Sequence, residues 1–483
     1  MTSRQALAAT CLLTVVGGFL RFATLDAQSY WLDELVTVSL LDQSFGDLLD
    51  GIRETEATPY LYYVLAWPWA KAFGLGEVGL RSLSALVGTA AIPVAYGAGA
   101  AFCSRRVGVV AAALVAAHPF LVWYAQEARA YGLLVLLGAC TALFLGRALR
   151  LPRRLDLAGW ALASALAVAT HYFAVFLVAA EAVWLLLRYR PRREAVISLL
   201  VPAIVLAAHV PLLNVQRGNG ETVGDTSLLS RVAGVPKALV VGYSFPAEIA
   251  GSVLAAALVV LGLVLLVTRA PPAELRGAVV AGSLALATLF VPLVLAVAGT
   301  DYLTARNVVV AVVPGAVAVA AGFATSRLGL VAGGVLCALL LVIALGVSLD
   351  DRYGRTDWRG VAERLGAPEG ERAIVVTPYL SRSLWRPYLP GLEEPAGPSA
   401  TVDEIAVVGL ATEGGFSSGA VHPPDAAPRA APAGFELVES DREPTFTLVR
   451  YRAARPTAVP VDVLAGLRLV DRQPGVLLQG PAS

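Results

Sequence analysis

The chain has 483 residues, of which 57% are hydrophobic and 15% are charged, and its mean hydropathy is +0.69. These values exclude a soluble globular protein of this length and indicate a polytopic membrane protein. The formal net charge is +1, and no basic stripe with interleaved aromatic residues occurs, so no nucleic-acid partner is expected.

Apolar runs long enough to cross a bilayer recur through the first three quarters of the chain. A hydrocarbon core of about 30 Å needs roughly 20 consecutive apolar residues per helix. The runs predict eleven spans, over residues 5–24, 79–102, 107–123, 132–149, 156–170, 173–189, 194–213, 247–268, 277–299, 304–324 and 328–349.

The loops between these spans predict the orientation, because short loops rich in basic residues remain cytoplasmic. Every second loop is basic; these loops carry Arg105, Arg106, Arg147, Arg150, Arg153, Arg154, Arg188, Arg190, Arg192, Arg193, Arg269, Arg276 and Arg327. The alternate loops are acidic or mixed and are expected outside. The N-terminus is then cytoplasmic and the tail is exported. The first span contains Arg21 and lacks a small-x-small cleavage site, so we expect an anchor helix and not a cleaved signal.

Residues 1–349 are therefore predicted to form the membrane domain. Its first exported loop, 25–79, is too long for a turn and too apolar for a solvated linker. Leucine and aromatic residues at helical spacing predict short helices lying in the membrane interface, and Leu228–Val241 is interpreted in the same way. Ordinary loop packing is the alternative.

The tail, residues 350–483, is predicted to be a small extracytoplasmic α/β domain. Short apolar runs at 373–376 and 405–408 and an alternating pattern at 445–448 indicate strands. The stretch 411–434 is rich in Gly, Ser, Ala and Pro and is expected to form loops. The four cysteines lie within or beside predicted spans, so no disulfide framework is expected.

An acidic pair, Asp33-Glu34, follows the first span directly. Consecutive side chains diverge, so the two carboxylates are not expected to act on the same atom; one is expected to react and the other to support it. A carboxylate in a partly desolvated cleft has a raised pKa and can accept a proton from an attacking hydroxyl. The alternative is structural, with Asp33 stabilising the start of a helix.

Further polar residues are predicted on the same outer face. Arg129, His171 with Tyr172, and Arg306 are expected at one membrane depth and are candidates to bind a lipid-linked phosphate. Each also has a structural interpretation, since Arg129 could pair with Glu127 or Glu34, Arg306 could extend to the interface, and His171 could simply be a packed histidine.

Four segments, in this order, resemble one family. They are 30–34 (Tyr-Trp-Leu-Asp-Glu), 123–131 (Trp-Tyr-Ala-Gln-Glu-Ala-Arg-Ala-Tyr), 170–173 (Thr-His-Tyr-Phe) and 357–360 (Asp-Trp-Arg-Gly). The sequence is similar to the family 39 glycosyltransferases, GT-C membrane enzymes that include protein O-mannosyltransferases and aminoarabinose transferases. The resemblance extends over roughly residues 5 to 365.

The resemblance implies an inverting transfer of a sugar from a polyprenyl-phosphate donor to an acceptor hydroxyl at the outer face of the cytoplasmic membrane. It maps the catalytic base to Asp33 and the second acidic residue to Glu34. Glu127 and Arg129 match the polar segment of the second exported loop, which implies contact with acceptor or phosphate. Tyr131 and Tyr60 are expected supports. The acceptor is a glycolipid, a polysaccharide or a protein, although repeated tail domains typical of eukaryotic O-mannosyltransferases are not found.

Other functions remain open at this point. A transporter or lipid flippase would place ionisable residues at midplane depth, whereas these residues cluster near one surface. A non-catalytic scaffold would account for the tail but not for the outward polar cluster. No clear Asp-x-Asp motif occurs, so the sequence assigns no metal or other cofactor, while a divalent cation stays open.

Overall fold

The computed structural model describes residues 1–151, 153–189, 193–219, 227–377, 385, 387–411, 422–425 and 430–481, so Arg190, Arg192 and much of the predicted loop 411–434 lie outside the described residues. The chain divides into two compact units. The membrane unit comprises Met1–Leu25 and Leu40–Gly346; the tail unit comprises Asp26–Ser39 and the described residues from Val347 onward. The start of the first exported loop therefore groups with the tail.

Among the residues that the structure describes, sixteen α-helices run from the N-terminus to the last predicted span. They are α1 (Ser3–Phe22), α2 (Leu32–Leu41), α3 (Phe45–Thr55), α4 (Leu61–Phe73), α5 (Glu77–Phe102), α6 (Arg105–Ala117), α7 (Pro119–Ala125), α8 (Tyr131–Arg150), α9 (Arg154–Thr170), α10 (Ala174–Tyr189), α11 (Arg193–Gln216), α12 (Leu228–Val241), α13 (Glu248–Arg269), α14 (Pro272–Val297), α15 (Val312–Phe323) and α16 (Arg327–Leu349).

Each predicted span coincides with one of these helices or with a pair of them. Among the described residues, eight helical segments are long and apolar enough to cross a membrane, and a ninth is the bent pair α6 and α7. The fifth and sixth predicted spans correspond to α9 and α10, which have only 17 and 16 residues. The tenth begins with a 3-10 turn, Arg306–Ala311, that leads into α15. The chain is thus a polytopic α-helical membrane protein.

The outward faces of these helices are apolar, as lipid contact requires. Along α13, Val253, Val260 and Val267 repeat every seven residues and are 65%, 57% and 72% exposed. Seven residues are close to two helical turns, so the three side chains share one face. A face of this kind would be unfavourable in water but is matched to hydrocarbon.

The predicted short helices of the first loop are present as α3 and α4, and α12 has the predicted bounds. In α3 the buried residues are Leu48 and Ile52, four positions apart and therefore on one face. The helix thus packs along one side, as its amphipathic pattern predicts.

The third predicted span, 107–123, is wrong as a continuous helix. It is divided into α6 and α7, whose axes differ by 60°. Proline lacks an N–H, and its ring clashes with the carbonyl four residues earlier. Pro119 therefore cannot continue α6, and it starts α7 at the first position, where the missing donor costs nothing. The break leaves the carbonyls of Val115 and Ala116 without helical partners.

Arg21, at the end of α1, donates to both of these carbonyls. Its Nη2 lies 3.0 Å from the Val115 oxygen, and its Nη1 lies 3.1 Å from the Ala116 oxygen and 2.8 Å from the Gly17 oxygen. The side chain is 1% exposed. Arg21, which the sequence places within the first span, is therefore an interior hydrogen-bond donor.

The tail unit contains a six-stranded mixed sheet in the order β2-β6-β1-β3-β5-β4. Its strands are β1 (Arg372–Thr377), β2 (Leu392–Glu393), β3 (Ser399–Leu410), β4 (Phe435–Arg442), β5 (Phe446–Pro460) and β6 (Gly475–Gln479), and its α-helices are α17 (Trp358–Leu365) and α18 (Val461–Gly466). The central pair β1 and β3 is parallel, and the other neighbours are antiparallel. The predicted α/β tail and its three strand signals are confirmed.

The first prediction concerns Arg21. Arg21→Met keeps the apolar stem but removes the donors, which leaves buried carbonyls unsatisfied at about 1–3 kcal/mol each. We expect a lower midpoint of thermal unfolding for the purified, detergent-solubilised protein. Arg4→Met, at an exposed position of the same helix, is the matched control and should leave the midpoint unchanged. Equal midpoints for both variants would contradict the role given to Arg21.

Candidate functional site

The acidic pair lies in the first turn of α2, within the tail unit. Glu34 is fully buried, and its Oε2 accepts a hydrogen bond from the backbone N–H of Trp31 at 3.3 Å. Glu34 therefore supports the helix start, a role that the sequence alternative gave to Asp33. Asp33 is half-buried, and its carbonyl accepts from the Thr37 hydroxyl at 3.1 Å. The two carboxylates have different surroundings, as expected for one reactive and one supporting group.

The resemblance segment at 357–360 contacts residues that lie just before the segment 30–34, inside the tail unit. The backbone N–H of Trp358 donates to the Ser29 hydroxyl at 2.9 Å, and Arg359 Nη2 donates to the Asp26 carbonyl at 2.7 Å. Asp357 caps α17 by accepting from the Gly360 N–H at 2.9 Å. The motif at 357–360 is thus attached to the segment that leads into the acidic pair.

Arg129 lies in the membrane unit and forms a buried ion pair with Glu56. Its Nη1 and Nη2 donate to the two carboxylate oxygens at 2.7 and 3.0 Å. The side chains are 9% and 4% exposed. This two-bond geometry suits a guanidinium and fixes its plane. Sequence analysis expected Glu127 or Glu34 as the structural alternative and missed Glu56.

The loop that carries Glu56 is held by side chains from the end of α11. Gln216 Nε2 donates to the carbonyls of Ile52 and Thr58 at 2.9 and 3.1 Å, and Asn219 Nδ2 donates to that of Glu56 at 3.2 Å. The Tyr172 hydroxyl donates to Gln216 Oε1 at 2.8 Å. Tyr172 thereby supports the Glu56 loop.

Tyr60 and Tyr172 lie near each other at the same loop. Tyr60 is half-buried and precedes α4. Burial raises the pKa of Tyr172, with a smaller contribution from Tyr60. Tyr63, which sequence analysis did not select, is buried against the ion pair; burial raises its pKa, and the charge of Arg129 opposes that shift.

Aromatic residues connect the ion pair to the loop after α9. The Tyr131 ring lies 5.7 Å from the His171 ring and 4.6 Å from the Tyr124 ring, measured between centroids. The hydroxyls of Tyr124 and Tyr243 hydrogen-bond at 2.5 Å. Tyr131 and His171, predicted as site residues from separate loops, are therefore neighbours.

His171 is 3% exposed and is neutral. Burial, with smaller contributions from the charges of Arg129 and Arg306, lowers its pKa from the ordinary 6.5 to about 3. Its Nδ1 accepts from the Phe173 N–H at 3.3 Å, which assigns the proton to Nε2. His171 can therefore donate one hydrogen bond but adds no positive charge, contrary to its grouping with the cations.

Arg306 and Glu127 belong to the same electrostatic environment. Burial raises the pKa of Tyr243; the Tyr124 hydrogen bond and the charge of Arg306 oppose the shift, and Glu127 adds to it. Arg306 is half-buried at the start of its 3-10 turn, and Glu127 is 1% exposed. The cluster therefore contains two arginines and two glutamates around a neutral histidine.

Within the described residues, no group of three or more His, Cys, Asp or Glu side chains is arranged to hold a metal ion. Glu56 was not predicted as a site residue, because its partner, Arg129, lies 73 positions away in the sequence. In the sequence, the one feature that could have marked Glu56 as a candidate is its place directly before the Ala-Thr-Pro-Tyr segment of the first exported loop.

Several solved structures resemble the chain. ArnT from Cupriavidus metallidurans in the apo state has 19% sequence identity and a TM-score of 0.49, covering 67% of this chain and 60% of that one. ArnT bound to undecaprenyl phosphate has 18% identity and a TM-score of 0.48, with 70% and 62% covered. Arabinofuranosyltransferase AftD from Mycobacteria has 16% identity and a TM-score of 0.49, with 94% and 40% covered. The chain thus spans about three fifths of the length of the ArnT structures. No curated protein sequence matches it.

A family model described as dolichyl-phosphate-mannose-protein mannosyltransferase matches residues 57–214, about a third of the chain. The matched range includes the segments at 123–131 and 170–173, on which the resemblance partly depends. It also includes Arg129, His171 and Tyr172. The predicted resemblance to GT-C glycosyltransferases of family 39 is thereby confirmed over this range.

Proposed function

We propose that the chain is an inverting membrane glycosyltransferase that uses a polyprenyl-phosphate sugar at the outer face of the cytoplasmic membrane. The acceptor hydroxyl attacks the anomeric carbon, the bond from that carbon to the phosphate oxygen breaks, and polyprenyl phosphate leaves. Asp33 takes the proton of the attacking hydroxyl. One base and a polar clamp on the phosphate suffice for this displacement.

The observation that carries the proposal is the positive field at His171. Burial is the main cause of the lowered pKa of this histidine, and the charges of Arg129 and Arg306 act in the same direction. A field that repels a proton stabilises an anion, and the group that gains negative charge in this reaction is the departing phosphate. The family match over residues 57–214 supports the same chemistry.

The surroundings of the acidic pair support Asp33 as the base. Glu34 is buried and bonded to the start of α2, so its carboxylate is committed to local structure. Asp33 is less buried and so is the more accessible carboxylate. A general base must come within hydrogen-bond reach of the proton that it removes, and accessibility is the first condition for that contact.

Glu56 is assigned the role of orienting Arg129. Two of its five N–H donors meet the Glu56 carboxylate, which fixes the plane of the guanidinium. Arg306 supplies the second cation, and His171 supplies a neutral donor at Nε2. Glu127, Tyr131, Tyr172 and Tyr60 are assigned supporting roles around these groups.

A groove in the membrane unit has the character needed for an isoprenoid chain. It measures about 420 Å³ and lies between α12 and α14, with Val232, Val235, Leu286 and Phe290 among its lining residues. Arg231, also at the groove, pairs with Asp301, its Nη1 donating to Oδ1 at 2.7 Å. An apolar groove of this kind matches the hydrocarbon chain of a lipid.

The sugar and the acceptor are to be found by assay. The purified protein is incubated with a panel of polyprenyl-phosphate sugars and scored by release of polyprenyl phosphate. Sugar-dependent release supports the proposal. Binding or transbilayer movement of the donor without release, across the whole panel, would favour a transporter or flippase.

Replacement of Asp33 tests the base. Asp33→Asn should lower kcat by about 10²–10⁴-fold, because the amide cannot accept the proton. The unfolding midpoint should change little, since Asp33 is only half-buried. Asp42→Asn, an exposed carboxylate just after α2, is the control. Full activity of the Asp33 variant would remove the central assignment.

The role of the Arg129–Glu56 ion pair is tested by measuring folding stability and the binding of polyprenyl phosphate separately. Arg129→Gln leaves Glu56 buried without its partner, which typically costs about 3–5 kcal/mol, and should also weaken binding of polyprenyl phosphate. The double variant Arg129→Gln/Glu56→Gln should recover stability but not binding. Recovery of both in the double variant would show that Arg129 does not contact the phosphate.

The pH dependence follows from the lowered pKa of His171. The unfolded chain takes up a proton below about pH 6.5, whereas the folded protein does so only near pH 3, so folding stability falls as pH decreases through this window. His171→Gln should lose less stability between pH 7 and pH 5, measured by thermal unfolding. A wild-type profile identical to that of the variant would show that His171 titrates normally.

A further inference from the structure

The segment that leads into Asp33 is attached to the tail through a buried serine. Ser29 is 1% exposed. Its hydroxyl accepts from the Trp358 N–H at 2.9 Å and donates to the Thr356 carbonyl at 3.1 Å. One hydroxyl thus satisfies two backbone groups of the tail, at the start of α17.

The residues on both sides of Ser29 make further contacts of this kind. The Tyr30 N–H donates to the Tyr388 hydroxyl at 2.7 Å. The side chain of Gln28 accepts from the Arg355 N–H at 3.2 Å, and the Arg355 guanidinium lies 5.7 Å from the centre of the Trp31 ring. Arg359 also contacts Asp26. The tail therefore contacts Asp26, Gln28, Ser29, Tyr30 and Trp31.

This attachment continues directly into the helix that carries the acidic pair. Trp31 lies immediately before α2, and its N–H is bonded by Glu34. The backbone N–H groups of Glu34 and Leu35 both donate to the Trp31 carbonyl at 3.0 Å. When the residue just before a helix is fixed, the side chains of the first helical turn are fixed in direction as well. Asp33 lies two positions after Trp31, with Leu32 between them.

We propose that Ser29 and Tyr388 are positioning residues for Asp33, and that the tail domain serves to set the orientation of the catalytic carboxylate. The inference rests on the proposed function, in which Asp33 is the base. Neither Ser29 nor Tyr388 is assigned a contact with substrate. A displacement of about 1 Å at a reacting group can cost about 10²-fold in rate, so contacts outside the reacting atoms can control kcat.

The first arm of the test measures single variants in the full-length protein. Ser29→Ala and Tyr388→Phe should each lower kcat by about 10- to 100-fold with an unchanged KM for the donor. Thr457→Ala and Tyr353→Phe, which remove hydroxyls elsewhere in the tail unit, are the matched controls and should retain wild-type kcat. Thermal unfolding of each variant reports whether the fold persists.

The second arm combines each variant with Asp33→Asn, using a radiolabelled donor to follow residual transfer. If Ser29 and Tyr388 act through Asp33, their replacement should lower kcat no further once the carboxylate is absent. An equal further loss in the Asp33→Asn background would overturn the inference, since the residues would then act independently of Asp33.

The remaining outcomes separate the inference from the proposed function. If Asp33→Asn is impaired while Ser29→Ala and Tyr388→Phe remain fully active, the positioning role alone is overturned. A raised KM for the acceptor at unchanged kcat would overturn it in favour of a tail that binds the acceptor. Full activity of Asp33→Asn would overturn the base assignment and the positioning role with it.

Discussion

The membrane unit depends on a buried arginine that completes the hydrogen bonds of a broken helix. Pro119 divides the span after α5, and Arg21 satisfies the two carbonyls that the division leaves unpaired. The close packing around its guanidinium requires glycine at position 17, where a Cβ would lie 3.2 Å from Nη1 and 2.3 Å from Ile92 Cδ1. In hydrocarbon an unsatisfied carbonyl finds no water, so the break and its donor must occur together.

The same break determines where the polar residues lie. The short helix α7 ends at Ala125, and the following Gln126 donates from Nε2 to the Leu20 carbonyl at 3.0 Å and to the Thr24 hydroxyl at 2.8 Å. The loop that carries Glu127 and Arg129 is thereby attached to the end of α1. A straight helix through 107–123 would continue past this position and place these two residues elsewhere.

The features that could be predicted from the sequence are those that depend on residues close together in the chain. Apolar runs, the basic alternation of loops and the pattern of α12 depend on neighbouring residues, and the helices appear close to their expected bounds. The bend at Pro119 was readable from the proline itself but was not predicted, because the apolar run continues through it. The partner of Arg129 could not be read at all, since Glu56 reaches it only through the packing of α3, α11 and their loops.

The cluster in the membrane unit is arranged so that its charges are largely compensated before any anion arrives. Buried ions are unfavourable alone, and pairing with carboxylates makes Arg129 tolerable in a site of low dielectric. The histidine between the arginines is kept neutral mainly by its burial, and the charges of the two arginines act in the same direction. In the proposed function this arrangement adds the geometry of directed donors to the positive field at His171.

The attachment of Ser29 to Trp358 joins residues 329 positions apart. During synthesis the N-terminal end of this contact emerges long before its partner, so the acidic segment spends most of translation without its final support. Its native arrangement can be reached only after the last span has been inserted and the following domain has folded. An incomplete chain, even one with every helix in place, would therefore lack the mature geometry at residue 33.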